Sequence, residues 1–208
     1  MLVKRCINRL LKMDILNRRC QIISKGKLKI KKNITGKGHV LRVGKNSILD
    51  GVVILMNGNG NTVEIGNNCR IGKNCSIWAE GNNIRVIIGD NCTFNHDTQL
   101  CAQENDMEIV IGDDCMLSHH VNVRTSDSHK IFDIQSDNRT NFPRSVIIGK
   151  HVWIAPNSIV MKGVNVGDGC IIGSNTIVTR NVSSNTLAVG MPAKIVREGV
   201  SWSREKLF

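Results

Sequence analysis

Three of the chain's six histidines crowd into one short polar stretch, Ser118-His119-His120-Val121-Asn122-Val123-Arg124-Thr125-Ser126-Asp127-Ser128-His129. With an unperturbed pKa of about 6.5, an imidazole is mostly neutral at working pH and can take a proton from an attacking hydroxyl. Asp127 stands two residues before His129, where a carboxylate or a loop carbonyl can fix the tautomer of the ring. A second chemistry is also open to these residues. Three histidines gathered across a subunit boundary can hold a zinc ion with a free fourth position, and His96, His119 and His129 would be that set.

The elements that position this stretch announce themselves by their period. Ile148, Ile154, Val160, Val166, Ile172 and Val178 are six residues apart, and Val152, Ser158, Val164, Cys170, Thr176 and Val182 take the fifth place of each group. Neither a helix nor an ordinary strand repeats in this way. Short flat strands joined by tight corners do, each coil stacking on the last until an apolar interior is closed. Gly66-Asn67-Asn68, Gly89-Asp90-Asn91 and Gly112-Asp113-Asp114 supply corner residues that tolerate left-handed backbone angles. Between Ile111 and Ile148 the rhythm fails, and 118–145 is expected to be a loop that leaves the coil. Trp153 closes a group at its sixth position, which turns the indole outward.

Composition narrows the classes. A hydrophobic content of 41% is enough for a core, while four Phe, three Trp and no Tyr argue against a protein that stacks nucleic-acid bases on aromatics. Residues 1–50 hold fourteen of the 28 Lys and Arg and two of the 17 Asp and Glu, so the net charge of +11 is an N-terminal property. There, Val3, Ile7, Leu10 and Leu11 alternate with Lys4, Arg5, Arg9 and Lys12 as on an amphipathic helix, a cap for the coil or an anchor to an anionic surface. Arg9 and Lys12 interrupt any signal-like apolar run, and no stretch approaches the roughly 18 apolar residues of a spanning helix, so a cytoplasmic protein, peripheral to the membrane at most, is expected. Eight cysteines include no CxxC pair. Cys69, Cys75, Cys92, Cys115 and Cys170 sit at fifth positions, reading as small buried hydrophobes in a reducing compartment.

Arg124-Thr125-Ser126-Asp127-Ser128-His129, Arg139-Thr140-Asn141, Ile148-Gly149-Lys150-His151-Val152-Trp153-Ile154 and Ala188-Val189-Gly190-Met191-Pro192-Ala193-Lys194 together resemble the hexapeptide-repeat acyltransferases, in particular the bacterial O-acetyltransferases of capsular and surface polysaccharides. The resemblance covers residues 40–206. It implies an all-β chain, a left-handed parallel β-helix acting as a homotrimer, with acetyl-CoA between neighbouring prisms. Handedness comes from the resemblance alone, since parallel crossovers are usually right-handed. It also implies His129 as the general base and Trp153 beside the CoA thiol, where the indole N–H would stabilise a developing thiolate. Ala155 and Ser174 would line the pantetheine, Thr179 and Arg180 the adenine end, and Lys194 a phosphate, with Arg197 and Lys162 as further cations. Ser128 and Phe132 depart from the Gly and Tyr frequent in the family, and Pro156 removes an amide.

The expected organisation is a basic helical segment over 1–25, a β-helix over 26–197 with its catalytic loop at 118–145, and a tail over 198–208. The expected function is acetyl transfer to a hydroxyl of a capsular or lipopolysaccharide glycan by direct attack, without metal. The basic N-terminus points to an anionic acceptor of the sialic-acid kind. N-acetylation of an amino-sugar nucleotide, a zinc-dependent carbonic anhydrase and a non-catalytic binding platform are the other readings. His39, His96 and His151 read as structural, and Trp202 has no role.

Overall fold

Each aliphatic that leads a six-residue group points into a three-sided prism, and Ile148, Ile154, Val160, Val166, Ile172 and Val178 are all buried. The computed structural model describes residues 19–207, and every element in that range is a strand. The first face stacks Cys20–Ser24, His39–Val43, Thr62–Ile65, Arg85–Ile88, Glu108–Ile111, Val146–Ile148 and Asn165–Val166 in parallel. The second carries Arg70–Ile71, Thr93–Phe94, Met116–Leu117, Trp153–Ile154 and Ile171–Ile172, and the third Ser76–Glu80, Gln99–Gln103, Asn122–Arg124, Ile159–Val160 and Ile177–Val178. The long strand Ile48–Asn57 serves both of these faces, pairing with Arg70–Ile71 and with Ser76–Glu80.

Coil length changes along the prism. Val40 pairs with Thr62 and Thr62 with Arg85, advances of 22 and 23 residues, whereas Ile147 pairs with Asn165 and Ile159 with Ile177, advances of 18. The extra residues of the longer coils sit where the third face turns back to the first, at Gly58-Asn59-Gly60, Gly81-Asn82-Asn83 and Glu104-Asn105-Asp106. The excursion leaves from this same corner. It is shorter than the sequence predicts, because Met116–Leu117 and Asn122–Arg124 belong to regular faces, so the chain departs after Arg124 rather than at Ser118.

Corners are held by side chains reaching one coil along. The amides of Lys45, Asn67, Asp90 and Lys150 donate to Asn67, Asp90, Asp113 and Asp168 Oδ1 at 2.7–3.0 Å. Inside, the fifth-position residues do more than fill space. Ser47, Cys69, Cys92, Cys115 and Ser158 donate to the carbonyls of Gly66, Gly89, Gly112, Gly149 and Gly173 at 2.7–3.1 Å, so each coil satisfies an acceptor that the next would otherwise bury.

At the ends two boundaries shift. The basic helical segment expected at 1–25 lies outside the described residues as far as residue 18, and from Cys20 to Ser24 the chain is already a strand paired with His39–Val43. At the other end Lys194–Glu198 turns back antiparallel on Thr186–Val189. Among the described residues no helix is long and apolar enough to cross a membrane.

Candidate active site

The excursion from Thr125 to Ser145 is a braced hairpin. Arg144 N donates to Thr125 O at 2.9 Å to close its base, and Thr140 N donates to Ile131 O at 2.9 Å to close its tip. Its side chains fix it to the prism. Arg139 donates two bonds to the Glu104 carboxylate at 2.6 and 2.7 Å, and Ser126 Oγ adds a third at 2.5 Å. This holds Glu104 below its ordinary carboxyl pKa, chiefly through Arg139. The Lys162 ammonium meets the Asp127 carboxylate, and Asn141 Nδ2 also donates to Asp127 at 2.9 Å. Both bonds depress the Asp127 pKa, Lys162 foremost.

Those contacts correct two expectations. Lys162 is not an outward phosphate ligand: its side chain is only 16% exposed and is committed to Asp127. Asp127 in turn does not orient the imidazole of His129. What is held is the main chain around it, where Asn141 Nδ2 donates to His129 O at 2.8 Å and Asn141 Oδ1 accepts from Ile131 N at 2.7 Å. His129 itself is exposed, and its ring has no side-chain partner among the described residues.

Trp153 is half-buried on the second face, with Nε1 donating to Ser118 Oγ at 3.3 Å. Its other neighbour is Trp202, whose ring centre lies 6.2 Å away. Trp202, without a role in the sequence reading, pins the tail: it stacks on His151 at 4.4 Å, and its Nε1 donates to His151 O at 2.8 Å. Arg204 continues the strap with bonds to Asp114 and Thr93 at 2.9 and 2.8 Å. The excursion joins the third face to the first, while Trp153 stands on the second. One prism therefore carries the imidazole and the indole on different sides.

The cofactor candidates spread over the C-terminal coils. Ser174, Thr179, Arg180, Lys194 and Arg197 are exposed, and the three cations have no ion pair among the described residues. Ala155 is buried, and its amide is spent on Ile172 O at 2.8 Å. Ser174 and Pro156 occupy adjacent coils of one corner, Asn175 N donating to Pro156 O at 2.9 Å. Of the three histidines considered for zinc, His96 and His119 stack at 5.1 Å on the corner between the second and third faces, whereas His129 lies on the excursion from another corner. Within one chain they are not brought together, and among the described residues no three His, Cys, Asp or Glu side chains are arranged to hold a metal ion.

Two family models match, bacterial transferase hexapeptide (six repeats) over residues 145–180 and hexapeptide repeat of succinyl-transferase over residues 62–94. The solved structure of the polySia specific acetyltransferase NeuO superposes with a TM-score of 0.80 at 32% identity, over 91% of this chain and 80% of that one. The chain belongs to the hexapeptide-repeat transferases. Its coil is the left-handed parallel β-helix of that family. The polysialic acid O-acetyltransferase OatWY is similar in structure too, with a TM-score of 0.76 at 26% identity over 89% of this chain and 92% of that one. In sequence, the polysialic acid O-acetyltransferase of Escherichia coli O1:K1 / APEC is 39% identical over 82 residues, which are 39% of this chain and 27% of that protein. The alignment thus spans little more than a quarter of the length of this curated relative.

In this hexapeptide-repeat transferase the features that sequence reasoning missed are the anchors. Glu104 stands outside every motif, and the one signal for it is a carboxylate at a place filled by Gly58 and Gly81 in earlier coils. Asn141 enters the sequence only as part of a motif, and the four hydrogen bonds of its side chain, including one from Arg139 Nε at 3.3 Å, emerge only from the folded hairpin.

Proposed function

We propose that this chain, as a homotrimer, transfers the acetyl group of acetyl-CoA to a hydroxyl of an anionic cell-surface glycan. The carrying observation is the braced hairpin that holds His129 in the open with its imidazole uncommitted, on a different side of the prism from Trp153. A threefold assembly unites the two, placing His129 of one protomer against the Trp153 face of the next. It would also cover Ile131, Ile134 and Phe142, which are 56%, 91% and 60% exposed in the single chain.

The chemistry follows from these groups. His129 takes the proton of the acceptor hydroxyl as its oxygen attacks the thioester carbonyl. The tetrahedral centre then collapses, the C–S bond breaks, and the CoA thiolate leaves towards the Trp153 N–H before taking up the proton from His129. Ser174 lines the pantetheine, and Arg180, Lys194 and Arg197 are cations free to meet phosphate. The family, the relatives named for polysialic acid O-acetylation and the +12 net charge of residues 1–50 support the acceptor class. Seven described thiols without a disulfide suit a cytoplasmic site of action, and the basic segment of residues 1–50 suits the anionic inner face of the membrane.

Labelled acetyl-CoA offered to the purified protein with a panel of capsular and lipopolysaccharide glycans tests the reading. Transfer to an anionic glycan is expected, and His129→Ala should lose about 10² to 10⁴ in turnover while still binding CoA. Near-normal turnover in that variant removes His129 from the mechanism, and a monomer in solution removes the composite site.

A further inference from the structure

His96, His119 and His120 gather at the corner between the second and third faces. The rings of His96 and His119 stack with centres 5.1 Å apart, and His120 stands edge-on to both at 5.6 and 5.3 Å. Asp97 Oδ2 takes one nitrogen of the group, His96 Nδ1 at 2.6 Å, and lies 4.0 Å from His120 Nε2. The ring of His119 bonds to no side chain among the described residues. Nothing in the packing demands three imidazoles here: the same corner one coil down is Lys73-Asn74 and one coil up Pro156-Asn157, joined to it by Asp97 N to Lys73 O at 3.0 Å and Asn157 N to His119 O at 3.1 Å.

The position of this corner is what gives it a use. It continues in a straight line through Pro156 to Ser174, and neighbouring coils are about 4.8 Å apart, so the imidazoles begin about 10 Å from the hydroxyl assigned to the pantetheine. Ser118, which holds the Trp153 indole, immediately precedes His119. The histidines therefore lie just past the place where the thioester would end, on the acceptor side.

We infer that His96, His119 and His120 form an acceptor subsite that binds the carboxylate of an acidic sugar; this rests on the transferase reading above. Neutral imidazoles donate through N–H, and an incoming carboxylate favours protonation of the rings nearest to it. A charged donor holds a carboxylate more strongly than a neutral one, so affinity for an acidic glycan is expected to rise from pH 8 to pH 5.5. The fixed charges nearby are Asp97 on the corner itself, Lys73 one coil below, and Arg70 in the cleft that Ser118 shares with Thr93 and Met116. Asp97 is already held to His96 and remains a carboxylate throughout that range.

Calorimetric titration of the full chain, with CoA present, compares polysialic acid and polygalacturonic acid with their carboxyl-reduced forms at pH 5.5 and 8. At least one of the acids should bind tenfold or more tightly than its reduced form at pH 5.5, and the difference should shrink at pH 8. The double variant His119→Ser/His120→Asn keeps residue types that the same corner already uses at Ser174 and Asn157, so it is expected to fold; its melting temperature checks this. It should bind acid and reduced polymer alike. Equal affinity of the wild type for both forms overturns the subsite, as does an unchanged preference in the folded variant. A preference abolished by a chelator makes the corner a metal site and overturns it equally. Wild-type acetyl transfer to a neutral glycan, with no preference for acid, would sink this inference and leave the transferase reading standing.

Discussion

The side-chain amide of Asn141 donates to the main-chain carbonyl of His129 at 2.8 Å, while its oxygen accepts from the amide of Ile131 at 2.7 Å. One buried side chain thus clamps the backbone on both sides of Lys130 and, through Asp127, ties it to Lys162. The clamp holds the main chain that carries the imidazole.

Loss of that clamp should cost position before it costs the fold. In Asn141→Ala the Ile131 N–H loses its partner, worth about 1–3 kcal/mol where it is buried, and the hairpin loosens. A displacement of about 1 Å at a reacting group is worth up to about a hundredfold in rate. Turnover at saturating acetyl-CoA is expected to fall by about ten- to a hundredfold, with the KM for acetyl-CoA little changed. An equal rise in that KM would show that Asn141 supports the prism rather than the base.

Arg139 and Glu104 form the second brace, and its pH dependence has a definite sign. Arg139 lowers the folded pKa of Glu104, and Lys162 lowers that of Asp127. Stability from a depressed carboxyl is whole above its unfolded pKa and is lost as pH falls through the folded value. Below the ordinary carboxylate range the excursion should therefore open ahead of the prism. Hydrogen exchange corrected for intrinsic rates should show residues 130–140 losing protection between about pH 4 and 2 while Ile109 and Ile148 keep theirs. Arg139→Lys cannot make the two parallel bonds and should bring the same opening at higher pH.

Much of this architecture was legible in the sequence, because a single aliphatic every sixth residue fixes which side chains face in. Coil length was legible too: Val43-Gly44, Ile65-Gly66, Ile88-Gly89 and Ile111-Gly112 recur at 22 and 23 residues, the advance of the long coils. What the period cannot convey is a contact between elements far apart in the chain. Glu104 finds Arg139 across 35 residues, Lys162 finds Asp127 across 35, and Trp202 finds His151 across 51. Polarity also misled the loop boundary, since His119, His120 and Asn122 look irregular in sequence but occupy outward places in regular coils.

Ser128 is the family departure with a backbone consequence. Its φ is +66°, a left-handed conformation that costs a residue with a Cβ roughly 1–2 kcal/mol. Its hydroxyl offsets part of this by donating to Gln103 Oε1 at 2.8 Å. Ser128→Gly relieves the strain but loses the bond and frees the unfolded chain, so its melting temperature should stay within about 3 °C of wild type. Ser128→Val keeps the strain, adds branching and has no hydroxyl. It should be the less stable of the two, and the reverse order would mean that the turn is not held as described.

The described cysteines are placed as structure and not as nucleophiles. All seven described thiols are buried and unpaired. Burial foremost raises Cys75 and Cys101 to about 11, and the neighbouring Cys115 thiol foremost raises Cys92 to about 12. Since the thiolate is the reactive species, a disulfide reagent at pH 8 should titrate at most Cys6 in the native protein and all eight thiols in denaturant. Rapid reaction of two or more native thiols would mean that the prism opens at its corners.

The corner glycines give the sharpest steric test. A Cβ on Gly89 would lie 2.5 Å from Asp113 Oδ1, 2.7 Å from Asp113 N and 2.8 Å from Gly112 C, and two of these are backbone atoms that cannot rotate away. The third is the carboxylate that accepts from Asp90 N at 3.0 Å, so yielding breaks the ladder between two coils. Gly89→Ala should destabilise by about 2–3 kcal/mol, the upper range for overpacking. Gly199 has nothing within 4 Å of the same added atom, and at φ +66° Gly199→Ala should cost only the backbone strain of about 1 kcal/mol. Denaturant midpoints for the two variants decide it: if Gly89→Ala unfolds no earlier than Gly199→Ala, the coils are not packed as tightly at this corner as their spacing requires.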